Sequence, residues 1–162
     1  MVMLKNRYET EKKRVIDWYN NNEIINPIHI TFTHSNDIKK DKIKSSINFK
    51  HFLNRINQKI YKNGFKRFNK RLKVFSVFEY DDLTKLHIHS IIEKPSFIKL
   101  DKFKDLVRKS WIKTKYGNIH IHFHQPLNDY ETNGWKSYIL KHRTKSNKLT
   151  DYIDWNNVYL NS

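Results

Sequence analysis

Two histidines alternate in Leu86-His87-Ile88-His89, and on an extended chain they project to one side about 7 Å apart along the backbone. That spacing lets both imidazoles reach one divalent cation. Glu79, eight residues before His87, adds a hard oxygen if an antiparallel neighbour carries it. A set of two histidines and one glutamate leaves coordination positions for a phosphate oxygen and water, so the ion it holds can polarise a phosphodiester. A bare His-x-His pair also suits a strand alternating with solvent, and its setting decides between the two.

A nucleophile suited to such a site is Tyr138, in Tyr138-Ile139-Leu140-Lys141-His142. On a helix, Lys141 and His142 stand three and four residues on and project to nearly the same side. The phenol can then attack while the lysine neutralises phosphate charge. Packing with Trp135 and Ile139 is the alternative role for this tyrosine, and the company of His87 and His89 argues for chemistry. The chain has no cysteine, which excludes disulfides, thiolate ligands and a thiol nucleophile. Mg²⁺ or Mn²⁺ suits the remaining donors.

The elements that must position these residues follow from periodicity. Tyr8 to Asn22 reads as an N-terminal helix flanking the main fold. Pro27 to Thr33 alternates strictly, with Ile28, Ile30 and Phe32 on one face and His29, Thr31 and Thr33 on the other. Ile43, Ile47, Phe49, Phe52, Leu53, Ile56 and Ile60 recur at helical spacing up to Tyr61, with Gly64 as the stop. Strands Lys73 to Tyr80 and Leu86 to Glu93 follow, then a helix through Leu100, Phe103, Leu106, Val107 and Trp111. Ile119 to His124 alternates again, and Gly134 to His142 reads as a shorter helix.

The order is β-α-β-β-α-β with additions at both ends, an α+β fold of ferredoxin or RNA-recognition-motif type: an antiparallel sheet with helices on one face, an N-terminal helix and a C-terminal helix carrying Tyr138. One sheet face collects Ile28, Ile30, Phe32, Val74, Phe78, Leu86, Ile88, Ile119, Ile121 and Phe123 as the core. The other collects His29, Thr31, Thr33, Glu79, His87, His89, His120, His122 and His124, where the site belongs. His120, His122 and His124 lack an acidic partner on a neighbouring strand, so phosphate contact or a solvated face is their expected use.

At 162 residues the chain reads as a single domain, residues 1–162, with its core at about 26–145, a helical extension over 1–25 and a tail over 146–162. Its charge of +16 favours a polyanionic partner. Nucleic acid suits best, because 14% aromatic content offers platforms for unstacked bases. No run of about 18 apolar residues is present to span a bilayer, and the sequence reads as a soluble intracellular protein with no membrane partner.

Taken in order, these motifs resemble the HUH-endonuclease Rep proteins that start rolling-circle replication of plasmids and single-stranded DNA viruses. His29-Ile30-Thr31-Phe32-Thr33 resembles their first motif, Leu86-His87-Ile88-His89-Ser90-Ile91-Ile92 the second, and Tyr138-Ile139-Leu140-Lys141 the YxxK of the third. The resemblance covers about residues 26 to 145 and points to the single-tyrosine class. It implies a metal-dependent nickase and ligase specific for single-stranded origin DNA, with Glu79, His87 and His89 on the metal. Tyr138 forms a 5′-phosphotyrosyl link and frees a 3′-hydroxyl, and Lys141 assists.

Thr31, Thr33, His122 and His142 are the candidates for touching DNA. Three glycines, none in a phosphate-loop arrangement, imply no helicase domain. A host or separately encoded helicase and a DNA polymerase are then the expected partners, in a prokaryotic cytoplasm or in the nucleus of a eukaryotic virus's host. Two alternatives stand beside this reading: an HUH relaxase or single-strand transposase, and a non-catalytic RNA-recognition-motif-like module. The module would expose aromatic residues on the two central strands.

Overall fold

The computed structural model describes residues 2–79, 85–124, 134, 140 and 151–160. Its elements are helix α1 (Val2–Asn20), strand β1 (Pro27–His34), helices α2 (Lys42–Tyr61) and α3 (Asn63–Phe68), strands β2 (Val74–Glu79) and β3 (His87–Glu93), helix α4 (Leu100–Ile112) and strand β4 (Gly117–His124). The four strands form one sheet in the order β2-β3-β1-β4, antiparallel at every pairing. The fold is therefore α+β with a four-stranded antiparallel sheet, consistent with the ferredoxin-like arrangement expected from periodicity. Among the described residues no helix is long and apolar enough to cross a membrane.

The alternation of β1 sends Ile28, Ile30 and Phe32 into a core shared with Phe49, Phe52, Leu53 and Ile56 of α2 and Phe103, Val107 and Trp111 of α4. Phe32 sits at its centre, its ring 5.3 Å from Phe49, 4.9 Å from Phe52 and 5.0 Å from Trp111. Full burial of each such side chain contributes about 1.5–3 kcal/mol. Trp111 also donates its indole N–H to the Thr33 carbonyl at 3.0 Å, which ties α4 to the end of β1. Gly117 opens β4 against this joint, and a Cβ there would lie 2.0 Å from the Trp111 carbonyl oxygen. Only glycine permits that approach.

Three sequence expectations need correction. Ile43 and Ile47 do not join the buried stripe of α2; Ile43 is 74% exposed. The first turns instead bury Ser45, Ser46 and Asn48, which bond to His34, Asp154 and Thr114. Gly64 does not stop α2: the break is at Lys62, whose φ is 47°, and Gly64 lies inside α3. Ile119 is 70% exposed although Ile121 and Phe123 pack against the core. It lies beside a register shift between Phe32 and His34, and a bulge re-aims the side chains next to it.

The face turned away from α2 and α4 is not open along its whole length. Phe75, Val77 and Ile91 point there and are buried with Tyr8, Val15 and Tyr19 of α1 and with Ile24, Leu140, Ile153 and Leu160. Helix α1 is thus a covering layer and not a flank. The reason is visible in Val74-Phe75-Ser76-Val77-Phe78, where apolar side chains fall on both faces, as in strands buried on two sides. The tail also packs back, pairing Tyr159 with Val74 and Ile153 with Val77 along the outer edge of β2.

Candidate functional site

Register places the chemistry. Glu79 pairs with His87 and Val77 with His89 across β2 and β3; His87 pairs with Thr33 and His89 with Thr31 across β3 and β1; Thr31 pairs with His122 across β1 and β4. Alternation puts Glu79, His87, His89, Thr31, Thr33 and His122 on one face. They lie at the Glu79 end of β2, beyond the apolar cluster that α1 covers.

His89 is buried, and its Nε2 meets the Glu79 carboxylate in a short hydrogen bond while its Nδ1 lies 3.0 Å from the Thr31 hydroxyl. Burial pushes this imidazole down to about 4, so the ring is neutral at pH 7. Nε2–H then donates to the carboxylate, and Nδ1 accepts from Thr31. His87 is half-buried and also held below the ordinary histidine range, first by burial, then by the like charge it would share with His89, His122 and Lys85 if all were protonated. Held neutral, the His87 ring keeps a nitrogen lone pair that can face a cation.

The donors suit a divalent cation: one carboxylate and two imidazoles, with one imidazole oriented through its second nitrogen, as ligating histidines are. Glu79 and His89 are in contact, and His87 is the register partner of Glu79. Among the described residues no three His, Asp or Glu side chains form a group close enough to hold an ion. The glutamate and His89 bond to each other instead.

The expected DNA contacts divide. Thr31 is spent on His89, and Thr33 donates its hydroxyl to the His120 carbonyl, so both hold the sheet together. His122 is exposed, as are His120 and His124, while His29 on the same face is buried. Tyr138, Lys141 and His142, with all of the expected helix over 134–142 except Gly134 and Leu140, lie outside the described residues. Leu140 is buried against the apolar cluster of the histidine-bearing face, and its carbonyl accepts a 2.7 Å hydrogen bond from the Tyr8 hydroxyl.

Sequence reasoning missed the orienting role of Thr31 and the anchoring role of Tyr8. A threonine facing a histidine across two central strands was the available signal for the first. Nothing local signals the second, because its partner stands 132 residues away. No family model, no curated protein and no solved structure matches this chain.

Proposed function

We propose that this chain is a metal-dependent single-strand DNA nickase of the HUH type that starts rolling-circle replication. The observation that carries the reading is His89 held between Glu79 and Thr31, with His87 beside it on the same sheet face. Leu140, two residues after Tyr138 in sequence, packs on that same face of the sheet, which supports delivery of the tyrosine to it.

Glu79, His87 and His89 would hold Mg²⁺ or Mn²⁺, which when bound polarises the scissile phosphodiester. The Tyr138 oxygen attacks the phosphorus and gives up its proton to solvent. As the new O–P bond forms, the bond to the 3′-oxygen breaks, and that oxygen takes a proton to become a free hydroxyl. The 5′-phosphate stays on the tyrosine, and Lys141 counters the added charge. Thr31 acts through His89 by fixing its ring. A host or separately encoded helicase opens the duplex, and a polymerase extends the 3′-end.

The non-catalytic alternative loses ground on one point. The site-facing positions of the central strands carry Thr31, Thr33, His87 and His89, where a base-stacking module would show aromatic rings. A relaxase or single-strand transposase would share this chemistry and differ in the strand it acts on.

Labelled single-stranded oligonucleotides from the element's own origin, incubated with the protein and Mn²⁺ or EDTA, test the proposal on a denaturing gel. A covalent adduct that needs the metal and vanishes in Tyr138→Phe is the expected result. Binding without an adduct across a broad oligonucleotide set overturns it in favour of a binding module.

A further inference from the structure

The far end of β2 carries a second feature that the nicking chemistry does not use. No acidic residue occurs between Asp41 and Glu79, whereas seven lysines and arginines fall between Lys59 and Lys73. The fold gathers part of this run around a cleft of about 410 Å³ lined by Phe68, Lys70, Arg71, Lys73 and Tyr159. Cations and rings interleave there: Arg71 lies 4.7 Å from the Phe65 ring and 5.3 Å from that of Tyr159, and Lys70 lies 5.2 Å from Tyr61. The nearby carboxylate of Glu93 accepts the Lys73 backbone N–H at 3.2 Å.

Phe68 is the unusual member. It is 80% exposed at the end of α3, a position where water gains nothing from an aromatic ring. The Arg71 guanidinium is fixed by Asn54 and Asn69 at 3.1 and 2.7 Å, so the cleft's charge is held in place. A bare ring beside fixed and mobile cations matches a single nucleic-acid strand, whose phosphates pair with the cations while a base stacks on the ring. Duplex DNA keeps its bases within its own stack and offers no face to Phe68.

We propose that this cleft binds single-stranded DNA through base stacking on Phe68 and a phosphate contact from Lys70, about 20 Å along β2 from Glu79. It deepens the proposed nickase reading by giving the origin strand a second hold, and its test does not require that reading to be correct.

Fluorescence anisotropy with labelled dT20 and with a duplex of equal length, across a salt series, tests it on the intact protein. Phe68→Ala should weaken dT20 binding roughly tenfold or more and leave the duplex unchanged. Lys70→Gln should lower the log–log salt slope for dT20 by about 0.7. Ile43→Ala, an equally bare side chain elsewhere, should change neither. All these positions are exposed, so folding is not at stake. Unchanged dT20 affinity in Phe68→Ala overturns the proposal, as does an equal loss for the duplex, even if the lysine variant alters the slope. Because dT20 carries no origin, a failure of Tyr138 to cut leaves this result standing, and the reverse also holds.

Discussion

The Tyr8 hydroxyl donates to the Leu140 carbonyl at 2.7 Å, both groups being buried, and so joins the first helix to a point two residues beyond Tyr138 in sequence. The bond, with the packing of Tyr8, Val15 and Tyr19 on Phe75, Val77 and Ile91, makes the N-terminal helix that looked like a flank part of the fold and ties it to the chain two residues beyond Tyr138.

Tyr8→Phe removes the donor and leaves a buried carbonyl without it, which costs about 1–3 kcal/mol. At about 2–4 °C per kcal/mol for a chain of this size, differential scanning calorimetry should find a Tm lower by several degrees. Adduct formation at 25 °C, where the fold persists, should slow more than binding of the same oligonucleotide weakens. Equal adduct rates would detach α1 from the chemistry.

Thr31→Val keeps the shape of the side chain and deletes the hydroxyl that fixes His89. Loss of such an orienting group typically costs 10–100-fold in metal affinity. Isothermal titration with Mn²⁺ should show a drop of that order, and Glu79→Ala should abolish binding. If Mn²⁺ binds Thr31→Val as tightly as the original, the ion is held elsewhere.

Much of this site was legible in the sequence because strand alternation fixes faces. His29, Thr31, His87 and His89 fall on one side by counting alone, and the β2 to β3 register then brings Glu79 to His87. Counting does not say which part of a face a later segment will cover. His29 and His89 belong to the same face as the exposed His122, yet they are buried, His89 enclosed with Glu79 and Thr31. The exposed Ile43 has a related cause: Ser45 and Ser46 are drawn inward by partners outside the helix, His34 and Asp154.

His34 supplies a pH prediction. It is buried between Ser45, whose hydroxyl bonds Nε2 at 3.0 Å, and the Leu86 carbonyl, which accepts from Nδ1 at 3.2 Å. The Trp111 ring lies edge-on at 5.1 Å. Burial pushes this imidazole down to about 4, the Leu86 carbonyl opposes that, and His87 adds to it. The unfolded chain therefore binds a proton near pH 6.5 that the folded chain refuses until about pH 4. Stability is whole above pH 6.5 and falls as the pH drops through that window, by on the order of 3 kcal/mol from this group. Urea unfolding at pH 7.5 and pH 4.5 should show the loss, and His34→Gln should flatten the dependence. A variant with the same slope as the original would remove His34 as its source.

The outer edge of β2 gives the last prediction. Backbone bonds from Val74 to Tyr159 and from Phe78 to Tyr152, at 2.7 Å each, and from Asp154 to Ser76, at 3.0 Å, close that edge with residues 151–160. Asp154 locks the segment to α2: its buried carboxylate accepts from Ser46 and Asn157 at 2.7 Å each, and burial holds it above the usual carboxylate range. A chain ending at Thr150 would bare the ladder groups of β2 together with Phe75 and Val77 beside them, and an unpaired apolar edge is a template for a second copy. Light scattering should then find concentration-dependent association, and the Tm should fall. Asp154→Ala in the full chain separates lock from cover: it should lower the Tm, because Ser46 and Asn157 lose a shared acceptor, without added association as long as the strand pairing persists. A truncated chain with no added association and an unchanged Tm would mean that β2 is protected by something other than this segment.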